Sequence, residues 1–231
     1  MGEEFGKEIE EESRKARTCS DDDDDENILG GSDTKKIDEF RENRLFFKAV
    51  MSGDLNKLNK FIEQNEGLLS ARIPSSGKNA LHVAINAGHV HIARRLISLM
   101  SKDELEVKRN DGLTVLHAAV ETGNIEIAKC LVKKNSQLTV SCAEIEDIER
   151  HSHISSMATT HNVYSEFTYT PLLQAVIYGQ AEMAHYLYSI TSKEFLEEEL
   201  DGTQGSALIT QCIFRKYRFG FASELPPPSL Y

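Results

Sequence analysis

The sequence predicts an all-α fold: a solenoid of about four helix-turn-helix repeats plus a partial fifth, behind a disordered acidic N-terminal tail. Three observations lead there. The stretch Asp111 to Val132, DGLTVLHAAVETGNIEIAKCLV, reads as two short apolar helices back to back, too small to bury their own faces. Its landmarks Leu116, His117, Gly123, Ile127 and Leu131 recur thirty-five residues earlier as Leu81, His82, Gly88, Ile92 and Leu96, and self-similarity at such a period marks stacked repeats. The first forty-one residues, by contrast, are poor in apolar side chains and centre on the run Asp21 to Asp25, so burial cannot offset their ordering entropy.

Taken in order, residues 1–41 form the tail. Residues 1–43 carry 16 acidic and 7 basic side chains, so nearly all of the chain's net charge of −11 resides there. Ser20, followed by five aspartates, has the surroundings an acidophilic kinase selects. Gly2 does not make a myristoylation motif, because position 6 is Gly6 where Ser or Thr is needed.

The array is expected over 42–214. Its first unit, RLFFKAVMSGDLNKLNKFI, sets Phe46, Ala49, Gly53, Leu55, Leu58 and Phe61 on the template, with Asp54 as N-cap of its second helix. The second runs from Gly77 to Ile97 and the third from Asp111. In the third, Thr114 caps the first helix, Gly123 ends it and Asn124 caps the second. SKDELEVKRNDG between them has polar turn chemistry ending in Asp111-Gly112. His82 and His117 hold equivalent places and are expected to hydrogen-bond within their own turns. Cys130, on the inward stripe of a helix, is expected to be a buried small apolar residue.

Gly123 and Gly179 are 56 residues apart, which places an insertion loop at about 140–166. A short acidic helix is expected over 143–150. His151, His153 and His161 lack the spacing of a metal site. The fourth unit, TPLLQAVIYGQAEMAHYLY, begins at Thr170 with Pro171 at the first helical position and Leu173 in place of the histidine. The fifth starts near Gly205 and stops after one helix, because Pro226 to Pro228 forbid a second. Residues 215–231 are expected to be an irregular tail. Ala207, Leu208, Ile213 and Phe214 are then expected to lack cover, making this end the least stable and a route to self-association.

The helix starts read NALHVA, TVLHAA and TPLLQA. A period near 33 with a T-P-L-H-x-A core characterises ankyrin arrays, and the chain resembles an ankyrin repeat protein. Over residues 44–214, and most of all in TPLLQAVIYGQAEMAHYLYSITS and DGLTVLHAAVETGNIEIAKCLVKKN, it is similar to a large plant ankyrin family. Longer members of that family follow a cytosolic array with a membrane-spanning C-terminal domain. The resemblance implies a part in plant stress or defence signalling, a cytoplasmic location, and placement at the cytosolic face of a membrane through partners. No apolar run here approaches the roughly 18 residues of a span, so the alternative reading is a truncated regulatory fragment that competes with a longer membrane-anchored homologue.

Function follows from the expected surface. No P-loop, G-x-S-x-G, H-E-x-x-H or kinase signature appears, so no enzyme, no cofactor and no metal is expected. The acidic balance disfavours nucleic acid, whose phosphates call for a basic patch. Four cysteines without C-x-x-C spacing fit a reducing compartment. Stacked repeats instead present a concave face for another protein. Its expected side chains are Asn86, Glu121, Thr122, Ile177 and Tyr178 from helix ends, with Lys78, Asn110, Asp111, Leu113 and Tyr169 from loop tips. Tyr178, Tyr169, Ile177 and Leu113 are the expected anchors, since buried aromatic and apolar contacts concentrate binding energy.

Overall fold

The structure, a computed structural model, describes residues 31–143, 169–197 and 208–209. Four helix pairs stack in sequence order: α1 (Gly31–Met51) with α2 (Leu55–Gln64), α3 (Ala80–Asn86) with α4 (Val90–Leu99), α6 (Val115–Glu121) with α7 (Ile125–Lys134), and α8 (Pro171–Ile177) with α9 (Ala181–Ile190). Between the second and third pairs lies α5 (Lys102–Leu105), and α10 (Lys193–Glu197) follows the fourth. Single 3-10 turns at Glu66–Ser70 and Ser136–Val140 close the first and third pairs. Among the described residues the extended pairings are two isolated bridges, Arg72 with Asn79 and Ala143 with Tyr169.

The two helices of a pair differ in burial because they differ in neighbours. The first helices pack on one another in the order α1, α3, α6, α8, and each also packs on its own second helix. Surrounded in this way, Ala80 to Ile85 of α3, Val115 to Val120 of α6 and the whole of α8 are buried. A helix that is apolar on all sides is stable only when enclosed. The second helices keep one inward stripe, Ile92, Ala93, Leu96 and Ile97 on α4 and Ile127, Ala128 and Leu131 on α7.

Each first helix ends the same way. Gly123 takes φ 68°, and the next amide, Asn124 N–H, returns to the Ala119 carbonyl at 2.9 Å, which satisfies a helix-end acceptor. Asp54, His89 and Gln180 make the equivalent bond to Ala49, Ala84 and Ala175. Asp54 and Asn124 cap as expected: the Asp54 carboxylate accepts from Lys57 N–H and the Asn124 side chain from Ile127 N–H at 3.0 Å. Thr114 holds the expected cap position with its hydroxyl 2.9 Å from His117 Nδ1, and Thr170 Oγ1 caps α8, accepting from Leu173 N–H at 3.2 Å. Leu173 is buried where the second and third units carry His82 and His117.

Several expectations change. Residues 31–41 belong to α1, which extends eleven residues beyond the expected start at 42. Once Phe46, Phe47 and Val50 are packed, lengthening a nucleated helix toward its N-terminus costs little. The segment after Ser101 is helical, not only a turn: Ser101 N–H donates to Glu104 Oε2 at 2.6 Å and Glu104 N–H to Ser101 Oγ at 3.2 Å, a reciprocal cap that buries Leu105. Cys130 is half-buried, packed at the edge of the core. Ala143 does not start a helix; it exchanges backbone hydrogen bonds with Tyr169, both 3.0 Å, so the surplus chain leaves and re-enters the array at one point. Leu208 is 1% exposed and part of the core, so the expectation that it lacks cover fails. Ser20, residues 144–150, the three histidines at 151, 153 and 161, and Ala207, Ile213 and Phe214 lie outside the described residues.

Candidate partner-binding face

The face is made of loop tips and helix ends, and neighbouring units hold both in register. Asn110, at one tip, donates its backbone N–H to Ser76 O at 3.0 Å and its side-chain amide to Ser75 O at 3.0 Å, both on the tip before it. Arg72 donates to Gly77 O at 3.0 Å and also to Lys108 O. The tips are thus hydrogen-bonded across a full repeat, which lowers the ordering cost of binding against them.

The histidines tie helix starts to the next unit. Thr114 N–H donates to His117 Nδ1 at 3.1 Å, so Nδ1 is the acceptor nitrogen; Nε2 carries the hydrogen and lies 3.2 Å from Tyr169 O. The His117 and Tyr169 rings stack with centroids 6.1 Å apart. Burial holds His117 neutral, with its pKa lowered to about 3. His82 is likewise held neutral by burial. Its Nδ1 lies 2.8 Å from Asn79 Oδ1, and its Nε2 makes no hydrogen bond among the described residues.

At the centre of the face is a buried ion cluster. Arg109, whose side chain is 8% exposed, donates to Asp111 through Nε at 3.0 Å and Nη2 at 2.6 Å. It donates to Glu121 through Nη1 at 3.0 Å and Nη2 at 3.1 Å. Burial alone would lower the guanidinium pKa, but the hydrogen bonds and charges of Asp111 and Glu121 outweigh it and hold Arg109 protonated. The cluster fastens the tip that carries Asp111 to the end of α6 that carries Glu121. Replacing Arg109 would leave two carboxylates facing each other, which is why such clusters resist partial removal.

The structure sorts the ten expected contact residues. Tyr178 and Asn110 are exposed, and Lys78, Asn86, Asp111, Glu121 and Thr122 are partly exposed. Leu113, Tyr169 and Ile177 are not surface anchors: they are 2%, 3% and 8% exposed. Leu113 and Tyr169 each stand one residue before a helix cap, where the chain turns inward, and Ile177 ends a helix enclosed on all sides. Asp111 and Glu121 meet on Arg109, and burial together with the nearby Glu121 charge raises the Tyr178 phenol.

Two residues of the site were missed from sequence. Arg109 sits in a run, KRNDG, that reads only as polar turn chemistry. Gln174 fills the variable position of the helix start TPLLQA. It is fully buried, and no one-dimensional signal marks it. Among the described residues, no group of three or more His, Cys, Asp or Glu side chains is arranged to hold a metal.

A family model for ankyrin repeats, in three copies, matches residues 46–142. That span covers the three pairs from α1 to α7, and the pair α8 and α9 repeats their geometry beyond it. The fold is therefore an all-α ankyrin repeat solenoid. No curated protein matches the chain. Among solved structures 194 chains match. One is the crystal structure of the yeast ribosomal protein Rps3 in complex with its chaperone Yar1, at 18% identity and TM-score 0.47, covering 65% of this chain and 93% of that chain.

Proposed function

We propose that this chain is a non-catalytic module that binds another protein on the concave face of its ankyrin array. The observation that supports this most is the bracing of the tips, across repeats by Asn110 on Ser75 and Ser76 and Arg72 on Lys108, and within the third unit by Arg109 on Glu121. Bracing of that kind pre-organises a surface and reduces the entropy lost on association. The partner-binding residues of this reading are Lys78, Asn86, Asn110, Asp111, Glu121, Thr122 and Tyr178. Resemblance to the plant family extends the proposal to a cytoplasmic role in stress or defence signalling, exercised at the cytosolic face of a membrane through partners. Among the described residues no helix is long and apolar enough to cross a membrane, so any such placement would rest on protein contacts.

The test is cross-linking and affinity capture from native tissue with the full chain. Asn86→Arg and Thr122→Arg should abolish capture of the specific partner, and Glu63→Arg on the exposed side of α2 should leave it intact. Capture that survives both concave substitutions and falls with Glu63→Arg overturns the proposal.

A further inference from the structure

In the middle of α8 and just before its cap lie buried polar atoms that lack a well-formed hydrogen bond among the described residues. Gln174 is fully buried, and its amide oxygen and nitrogen make no hydrogen bond of normal length and angle among the described residues, with the Tyr169 and Tyr178 hydroxyls as their near neighbours. The hydroxyl of Tyr169, also buried, is in the same condition. Native interiors leave few such groups, because each lost hydrogen bond carries the full desolvation penalty. Three of these atoms belong to two side chains that neighbour each other and Tyr178. Tyr178 is 39% exposed and Glu121 is partly exposed, so the unsatisfied pair forms the floor of a spot whose rim is an aromatic ring and a carboxylate.

The charge at this spot selects the ligand. Arg109 is the nearest cation, and its donors are already given to Asp111 and Glu121 within an enclosed cluster. One positive charge stands against two negative ones, and the positive one is inaccessible. An anionic ligand would meet the Glu121 and Asp111 carboxylates, and the neutral donors at the spot, Gln174 Nε2 and the Tyr169 hydroxyl, carry no charge to offset them. We propose that this subsite receives an arginine or lysine side chain of the partner protein, its N–H groups donating to the Glu121 carboxylate and the Gln174 amide oxygen. Tyr178, the most exposed member, turns aside to admit the cation and then packs its ring along it, a geometry favourable for a desolvated cation. The assignment rests on the concave-face reading above and names the chemistry of one of its contacts.

A displayed library of random twelve-residue peptides, selected against the full chain, tests it. Selected peptides should share a basic residue whose replacement by citrulline or glutamine weakens binding about tenfold or more, the scale of a well-formed charge contact. That loss should vanish in Glu121→Gln protein, as a double-mutant cycle. Because Glu121→Gln also loosens Arg109, Tyr178→Ala, which leaves that cluster intact, is the second variant; it should weaken the basic peptide and leave the citrulline peptide unchanged. Circular dichroism confirms that each variant is folded. Selected peptides without a required basic residue, or with one whose contribution is the same in all three proteins, overturn the subsite. If those peptides are still blocked by Asn86→Arg, the concave-face reading stands and only the cation subsite falls. An empty selection, or peptides indifferent to every concave substitution, counts against both.

Discussion

At the scale of single residues, the two buried histidines make stability depend on pH in a defined direction. His117 and His82 are held neutral by burial, with folded-state pKa values below the ordinary 6.5 and that of His117 at about 3. A base whose pKa is depressed by folding takes up its proton more readily when unfolded. Its stabilising contribution is complete above the unfolded value and is lost as pH falls through and below it. Urea unfolding free energy should therefore be level above about pH 7 and fall between pH 6.5 and 5. At the lower end of that range the slope should approach roughly 1.4 kcal/mol per pH unit for each histidine. His117→Gln should be less stable at pH 7.5, having lost the bond to Thr114 N–H, yet show a shallower slope. Equal slopes in the two proteins would show that His117 does not remain neutral on folding.

At the scale of elements, the turns and tips separate two kinds of glycine requirement. Gly88 ends α3 with φ 75°, and a methyl group there would meet nothing within 4 Å. Gly88→Ala should therefore cost only the left-handed conformation, about 1–2 kcal/mol. Gly77, at a tip with φ 69°, would place its methyl 2.3 Å from Asn110 Oδ1 and 2.8 Å from Asn110 N. Gly77→Ala should cost more, because the adjoining tip must also shift. Asn124→Ala, which removes the cap on α7, should cost about 1 kcal/mol. Chemical denaturation of the three variants ranks them, and a Gly88 variant less stable than the Gly77 variant would contradict the packing described.

At the scale of the whole molecule, contacts run mainly between adjacent units, so damage at one end stays there. Leu208 is enclosed at the C-terminal end. Leu208→Ser should remove at least about 2 kcal/mol of local stability, as core truncations do. Amide exchange should rise in α8 and α9 while α3 and α6 keep their protection. Light scattering gives a second reading. With Leu208 buried, the substitution should not reduce self-association, and a clear drop would restore the expectation, drawn from sequence, of an exposed apolar end.

The sequence by itself determined the repeat: its period, its helix pairs, the glycines that end the first helices and the side chains that cap them. These are local matters, set by 3.6-residue periodicity and by which residue tolerates a positive φ or accepts an orphan N–H. It also located tip and helix-end residues that the structure leaves exposed or partly exposed, Asp111, Glu121 and Tyr178 among them. Only the tertiary structure decided which of those side chains face outward. Leu113, Tyr169 and Ile177 occupy tip and helix-end positions as expected, yet are buried, because exposure depends on what the next unit lays over them. Arg109 lies twelve residues from Glu121 in the chain and joins it across a turn; Gln174 is 53 residues from Glu121 and comes to the same spot by stacking. Periodicity reports which residues share a helix face, not which side chains meet across a turn or between units, and that is the physical reason the solenoid was legible in one dimension and the Arg109 cluster and the burial of Gln174 were not.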